Sequence, residues 1–232
     1  MCINIYVCHR YNPIPCQTLH PDISFLCIFA LDMTKAIVFD VGGVLIGLDL
    51  ERGVRAFREV LGYERITELL DPSHQKGIFG AMEGGEISAD EFRASVLAES
   101  RPGSTQEDVD RCVRSILNPV LPETAAAVRS VYGRFPLYLL SNNNPIGMPA
   151  CLELMGKAGI GGALFEDMFV SSEMKMLKPS REFYLEAVRR IGFPPQEILF
   201  IDDSLTNVEA ARAIGIDARW LEPGMPLSVL LP

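Results

Sequence analysis

The sequence is short of basic charge, of histidine, of cysteine beyond its first segment and of long apolar runs. Each shortage removes a class of function. Lysine and arginine together number 21 against 30 aspartates and glutamates, a formal charge of −9. A protein that grips a phosphate backbone needs basic patches that displace counterions, so this balance argues against a nucleic-acid partner. It leaves room for a small phosphorylated ligand, because one divalent cation reverses the field at a site. The three histidines, His9, His20 and His74, show no metal-ligand spacing. Four of the six cysteines (Cys2, Cys8, Cys16, Cys27) lie in the first 27 residues, and only Cys112 and Cys151 follow. The body therefore reads as a reduced, cytoplasmic protein with two buried thiols, not a disulfide scaffold. The apolar stretch 23–31 is too short to cross a bilayer, and no basic region with a cleavage site precedes it, so no membrane partner is expected.

What is present is a chain of 232 residues with 48% hydrophobic side chains. That suffices for one large domain, or a domain with an insertion, on a scale of roughly 100–200 residues per domain. Residues 1–33 have no clear period and no capping signals, and read as a disordered or non-native extension. Met33 opens a phrase suited to the start of a cytosolic protein, and is expected to be the biological start.

From residue 34 apolar strands alternate with helical patterns. Strands are expected at 36–39, 135–140, 168–170, 197–201 and 216–221. Helices are expected at 123–132, 146–158, 181–191 and 207–214. This rhythm predicts an α/β fold, a doubly wound, Rossmann-like parallel sheet with right-handed crossovers and helices on both faces. Residues 50–119 break it with helical patterns alone, at 51–61, 66–70, 74–82, 90–99 and 106–117. Ser88 before Glu91 reads as a capping box. The expected division is a core of 34–49 and 120–232, with an all-α cap of 50–119 inserted after the first strand. Phe79, Met82 and Phe92 are expected in the cap's own core. Hinges are expected near 48–50 and 118–121.

In an open parallel sheet, ligands bind beyond the carboxyl ends of the strands. The polar residues there are Asp40, Ser141, Asp202 and Asp203, with Lys178 shortly after the third strand. Carboxylates gathered without enough positive charge repel and drift toward protonation. A hard divalent cation such as Mg²⁺, with oxygen ligands, resolves the conflict. Gly42 and Gly43 make a turn after Asp40 that allows backbone to approach a phosphate. Asn142 and Asn143 either hold substrate or satisfy turn backbone. Lys175, the rival to Lys178, reads as a solvated charge.

Four phrases carry a resemblance to the haloacid dehalogenase-like hydrolases, in that family's order: "IVFDVGGVL", "LYLLSN", "MKMLKP" and "ILFIDDSLTNVEAAR". The resemblance spans about residues 34–232, and the inserted helices match the family's small helical cap. It implies that Asp40 is a carboxylate nucleophile forming an aspartyl phosphate. It implies that Ser141 binds a phosphate oxygen and that Lys178 is the catalytic lysine. Asn142 and Gly43 would contact substrate. Mg²⁺ would be held by Asp40, the Gly42 carbonyl and Asp203, with Asp202 helping directly or through water and Asn207 behind them. The implied activity is hydrolysis of small phosphomonoesters by a monomer or homodimer. "FDVGGVL", "GEISADEF" and "LSNNN" are similar to a branch that includes glucose 1-phosphate phosphatases.

One residue departs from the pattern. Phosphatases of the family usually carry an aspartate two positions after the nucleophile, as general acid, and here that position is Gly42. Three readings follow: a leaving group good enough, or sugar-like and anomeric, for another acid to suffice; Asp49 or a cap residue as the donor; or a weak or degenerate enzyme. Two other readings stay open at this point. One is a 2-haloacid dehalogenase, which needs neither metal nor proton donor. The other is a non-catalytic phospholigand-binding protein.

Overall fold

Five short, β-rich apolar segments build one sheet. They are β1 (Ala36–Phe39), β2 (Leu137–Ser141), β3 (Asp167–Val170), β4 (Ile198–Asp202) and β5 (Asp217–Trp220). A computed structural model describes residues 33–70 and 76–232. The expectations for residues 1–32, for the cysteines and histidines there and for His74 lie outside the described residues. Residues Thr34–Pro232 make one unit.

All neighbouring strands are parallel, in the order β3-β2-β1-β4-β5. The doubly wound reading is what the sheet shows. Strand bounds shift slightly: β2 begins at Leu137 rather than 135, since Pro136 has no N–H to give a ladder and contributes only its carbonyl, to Ile37. Side chains alternate between the faces at period two. Ile37, Phe39, Leu139 and Ile201 enter one apolar cluster, and Val38, Tyr138, Leu140 and Phe200 the other. Both faces are thus covered, which is why the strands read as continuous apolar runs.

The helical segment follows β1. It comprises α1 (Leu50–Ala56), a π turn (Phe57–Leu61), α2 (Ile66–Leu69), α3 (Gly77–Glu83), α4 (Ala89–Ala98) and α5 (Gln106–Arg114). It has its own apolar cluster, in which Phe57, Met82, Phe92, Val96 and Cys112 are buried. Phe79 and Phe92 meet edge to face with centroids 5.4 Å apart. Ser88 and Glu91 form the reciprocal capping box at the start of α4. Where the chain leaves and re-enters the sheet region, Leu48 and Leu117 pair antiparallel. Arg52 reinforces this crossing by donating to the carbonyls of Ser115 and Leu117.

The core helices are α6 (Pro122–Val131), α7 (Gly147–Lys157), α8 (Ser171–Met174), α9 (Arg181–Ile191) and α10 (Leu205–Arg212). Helices α6 and α7 pack on one face of the sheet, α9 and α10 on the other. Strand β1 lies between β2 and β4, so connections depart in opposite directions on its two sides. That reversal opens a crevice at the carboxyl ends of β1 and β4.

Candidate active site

Asp40 follows the last residue of β1, and Asp202 is the last residue of β4. The ladder pairs Phe39 with Ile201, so the two acids leave adjacent strands at the same level. Asp203 comes next along the chain. One carboxylate oxygen from each of Asp40, Asp202 and Asp203 lies within 4.8 Å of the others. Lys178 enters from the loop before α9, 2% exposed, and its Nζ stands 2.9 Å from Asp40 Oδ1 and 2.7 Å from Asp202 Oδ2.

Three carboxylates thus meet one ammonium. Burial pushes Asp40 up to about 7 against the attraction of Lys178, while Asp202 and Asp203 add repulsion. Asp203 is raised also, by burial first and the Asp202 charge second. Burial works against the charge on Lys178, but Asp202 and Asp40 outweigh it and hold its pKa above the ordinary value. The site is therefore short of positive charge. Its donors are hard oxygens without histidine or cysteine, a set that suits Mg²⁺.

The surroundings fix these groups in place. Asp202 Oδ1 accepts from Ser204 N at 2.8 Å and from Asn207 Nδ2 at 3.0 Å, so both Asp202 oxygens are engaged by the protein. Tyr184 in turn donates its hydroxyl to the Asn207 carbonyl. Asn142 Oδ1 accepts from Lys178 N at 2.8 Å, and its Nδ2 donates to the Lys178 carbonyl at 2.9 Å. That side chain clamps the backbone of the buried lysine. Gly43 has φ +76°, and a Cβ there would stand 1.9 Å from Asp203 Oδ2. The glycine is what gives the Asp203 carboxylate its place.

A cavity of about 650 Å³ opens over the cluster, lined by Asp40, Gly42, Glu83, Asn142, Lys178 and Asp203, with Leu48, Gly80, Leu177 and the residues from 204 to 207 around them. Not every expected residue reaches it. Ser141 is buried at the end of β2 and is not part of the lining; its hydroxyl stands 3.5 Å from the Asn142 carbonyl, the limit of a hydrogen bond. Asn143 is turned inward, its Oδ1 accepting from Asn144 N. Lys175 is exposed. Asp49 is occupied as the N-cap of α1, accepting from Arg52 N at 2.8 Å, and is absent from the lining.

Glu83 belongs to none of the four motif phrases. It ends α3 and lines the cavity beside Asp40 and Lys178. Its one sequence signal is the Gly84-Gly85 pair that follows it, which permits a close backbone approach.

Comparison with known proteins follows the same lines. A model of the haloacid dehalogenase-like hydrolases matches residues 34–215. The chain is 30% identical over 194 residues to the D-ribitol-5-phosphate phosphatase of Bacteroides thetaiotaomicron, covering 83% of this chain and 94% of that one. It is 29% identical to a HAD-family enzyme of the same organism solved with magnesium and inorganic phosphate, with a TM-score of 0.76 over 86% of this chain and all of the other (100%). The L-2-haloacid dehalogenase of Xanthobacter autotrophicus shares the fold, with a TM-score of 0.57 at 19% identity over 81% of this chain and 77% of that one.

Proposed function

The chain belongs to the haloacid dehalogenase-like hydrolase family, and from that premise we propose that it hydrolyses small sugar or polyol phosphates with Mg²⁺. The observation that carries this reading is the gathering of Asp40, Asp202 and Asp203 within 4.8 Å, with Lys178 against Asp40, at the crevice of the sheet. An all-oxygen cluster short of positive charge is built for a cation and a phosphate. A dehalogenase would have no use for it. The relative that acts on a polyol phosphate, and the one solved with magnesium and phosphate, support the same reading.

In this proposal Asp40 attacks phosphorus, the leaving oxygen departs, and water then hydrolyses the aspartyl phosphate. Covalent catalysis replaces one hard step by two easier ones. Asp40, Asp203 and the Gly42 carbonyl would hold Mg²⁺, which when bound neutralises phosphate charge. Asp202 adds negative charge but spends its oxygens on Lys178, Ser204 and Asn207. Its role is to keep Lys178 aimed at Asp40, with Asn207 steadying it. Lys178 stabilises charge on the transferring group, and Ser141, at the end of β2 just outside the lining, would donate to a phosphate oxygen seated deeply enough to meet it. Asn142 holds the Lys178 backbone, and Gly43, outside the cavity lining, leaves the space that Asp203 takes.

The helical segment 50–119 would serve as the cap over the cavity. Among the described residues no helix is long and apolar enough to cross a membrane. A cytoplasmic protein acting on soluble metabolites, as monomer or homodimer, completes the proposal.

The test is phosphate release from a panel of sugar and polyol phosphates, with Mg²⁺ and with EDTA. Magnesium-dependent turnover is expected, and Asp40→Asn should abolish it while leaving the fold intact. Turnover that survives Asp40→Asn, or an unreactive panel, would overturn the reading.

A further inference from the structure

Protonation of the leaving oxygen has no donor at position 42, and the structure supplies another carboxyl. The geometry points to Glu83, at the end of α3, as the general acid and base of the reaction, an inference that rests on the phosphatase reading above.

Several contacts bring Glu83 to the site. Its backbone carbonyl accepts from the buried Ser171 Oγ at 2.6 Å, and Ser171 Oγ accepts from Asn143 N at 2.9 Å. The end of α3 is thereby pinned to the residues following β2 and β3. Gly84 and Gly85 complete the contact: a Cβ on Gly85 would stand 2.3 Å from the Ser172 carbonyl oxygen, and one on Gly84 3.3 Å from Leu177. The backbone of the helical segment thus lies directly against the stretch that leads into Lys178. From this anchor the Glu83 side chain lines the cavity that holds Asp40, Gly42 and Asp203. It also borders a smaller, more apolar space of about 80 Å³ with Leu50, Phe79 and Ile116.

Asn144 Oδ1 accepts from Ile146 N at 3.1 Å and Gly147 N at 2.8 Å. The Asn144 amide group is left to face Glu83, whose ionised form it favours. The charges that face Glu83 are Asp40, from the end of β1, and Lys178, from the loop before α9. Lys175, after α8, lies against Gly85. Burial pushes the carboxyl up to about 8, helped by the Asp40 charge and opposed by Asn144 and Lys178. A carboxylic acid that keeps its proton at neutral pH is the form a general acid needs.

The cycle balances. As Asp40 Oδ bonds to phosphorus and the bond from phosphorus to the leaving oxygen breaks, the Glu83 proton passes to that oxygen and an alcohol departs. Water then attacks the phosphoaspartate, its proton passes to the Glu83 carboxylate, and the phosphorus–Asp40 bond breaks. Phosphate leaves and both carboxyls are restored.

Glu83→Gln keeps the shape and removes the proton. A primary alkyl phosphate needs leaving-group protonation, whereas 4-nitrophenyl phosphate does not. In Glu83→Gln the single-turnover rate with the alkyl phosphate should fall by ~10²–10⁴-fold, while the nitrophenolate burst stays within tenfold of wild type. Phosphorylated Asp40 should then accumulate, because the base for the second step is also lost. The ratio of the two rates does not depend on the folded fraction, so partial unfolding cannot mimic this result. In the wild type, alkyl-phosphate turnover should decline as pH rises past Glu83 ionisation while the nitrophenolate burst does not. Equal losses on both substrates, or no loss on either, overturn Glu83 as donor and leave the phosphatase reading standing. A wild-type chain that hydrolyses neither substrate overturns both.

Discussion

Replacing Gly43 by alanine should cripple the metal site at modest cost to the fold. Two effects act at this residue. The backbone sits at φ +76°, where a side chain costs ~1–2 kcal/mol. The added Cβ would also lie 1.9 Å from Asp203 Oδ2 and 2.3 Å from its Cγ. A Cβ keeps at least 3.0 Å from such an atom, against 1.9 Å here, so the oxygen must retreat by about 1.1 Å. Displacement on that scale costs on the order of 10²-fold in kcat/KM. Gly133→Ala separates the two effects. Gly133 has φ +78° and nothing within 4 Å of the added carbon. Both variants should melt lower by about 2–8 °C, from the same backbone penalty. Only Gly43→Ala should need much more Mg²⁺ and lose kcat/KM. The assay is phosphate release titrated with Mg²⁺, beside thermal melts. If Gly43→Ala keeps its Mg²⁺ requirement and kcat/KM within twofold of wild type, or if Gly133→Ala loses as much, Asp203 does not hold the metal through the space that Gly43 leaves.

Three further outcomes are expected. Lys178→Met leaves Asp40 and Asp202 without their shared cation and should cost about 3–5 kcal/mol of stability in EDTA, part of which added Mg²⁺ restores; a variant that melts like wild type in EDTA contradicts this. Glu83, raised from 4.5 to about 8 in the folded chain, binds its proton more tightly folded than unfolded, so the wild type loses stability as pH rises from 4.5 to 8. Glu83→Gln has no such loss, and its melting advantage over wild type should grow across that window and level off above it; a difference independent of pH speaks against the shift. Ser88→Ala removes the capping box of α4 and should cost about 1 kcal/mol with kcat unchanged, whereas an unaltered denaturation midpoint would deny the cap its role.

The sheet was legible because its signals are local. Strand β1 lies at residues 36–39 as read, since four apolar β-formers end abruptly in an acid. Helix α9 keeps the bounds read for it, from Ser180 as N-cap to Gly192 in the left-handed region. What escaped the reading lacked a period or spanned a distance. The four-residue α8 is shorter than any periodic pattern can mark. The pattern over 51–61 read as one helix, but it changes to a π turn at Phe57, so that Phe57 and Leu61 are both fully buried. The site was legible as a set of strand-end residues and not as a set of bonds. Asp202 read as a ligand, direct or through water. Its contacts with Lys178, Ser204 and Asn207 follow from how α10 leaves β4. The need for glycine opposite Asp203 joins two turns far apart in sequence. Glu83 reaches Asp40 only through the packing of α3 against the residues after β3.

Two carboxyls in one cavity must take opposite parts, and their neighbours decide which. Asp40 has Lys178 at 2.9 Å and the Val41 amide at 2.7 Å from the same oxygen, and positive charge added at the acidic cluster favours its ionised form further. Glu83 faces Lys178 without an ion pair among the described residues and borders an apolar space. In the proposed reaction a cation held at the acidic cluster would widen the gap between them in the useful direction, favouring the carboxylate of Asp40 as nucleophile. Glu83 belongs to the helical segment, which has its own apolar cluster, and is pinned through Ser171 to the residues after β3, so the proposed donor and nucleophile come from different parts of the chain. An arrangement that sets the acid on one core and the nucleophile on the other can change its substrate through the first without disturbing the carboxylates, lysine and glycine turn that the sheet holds in the second.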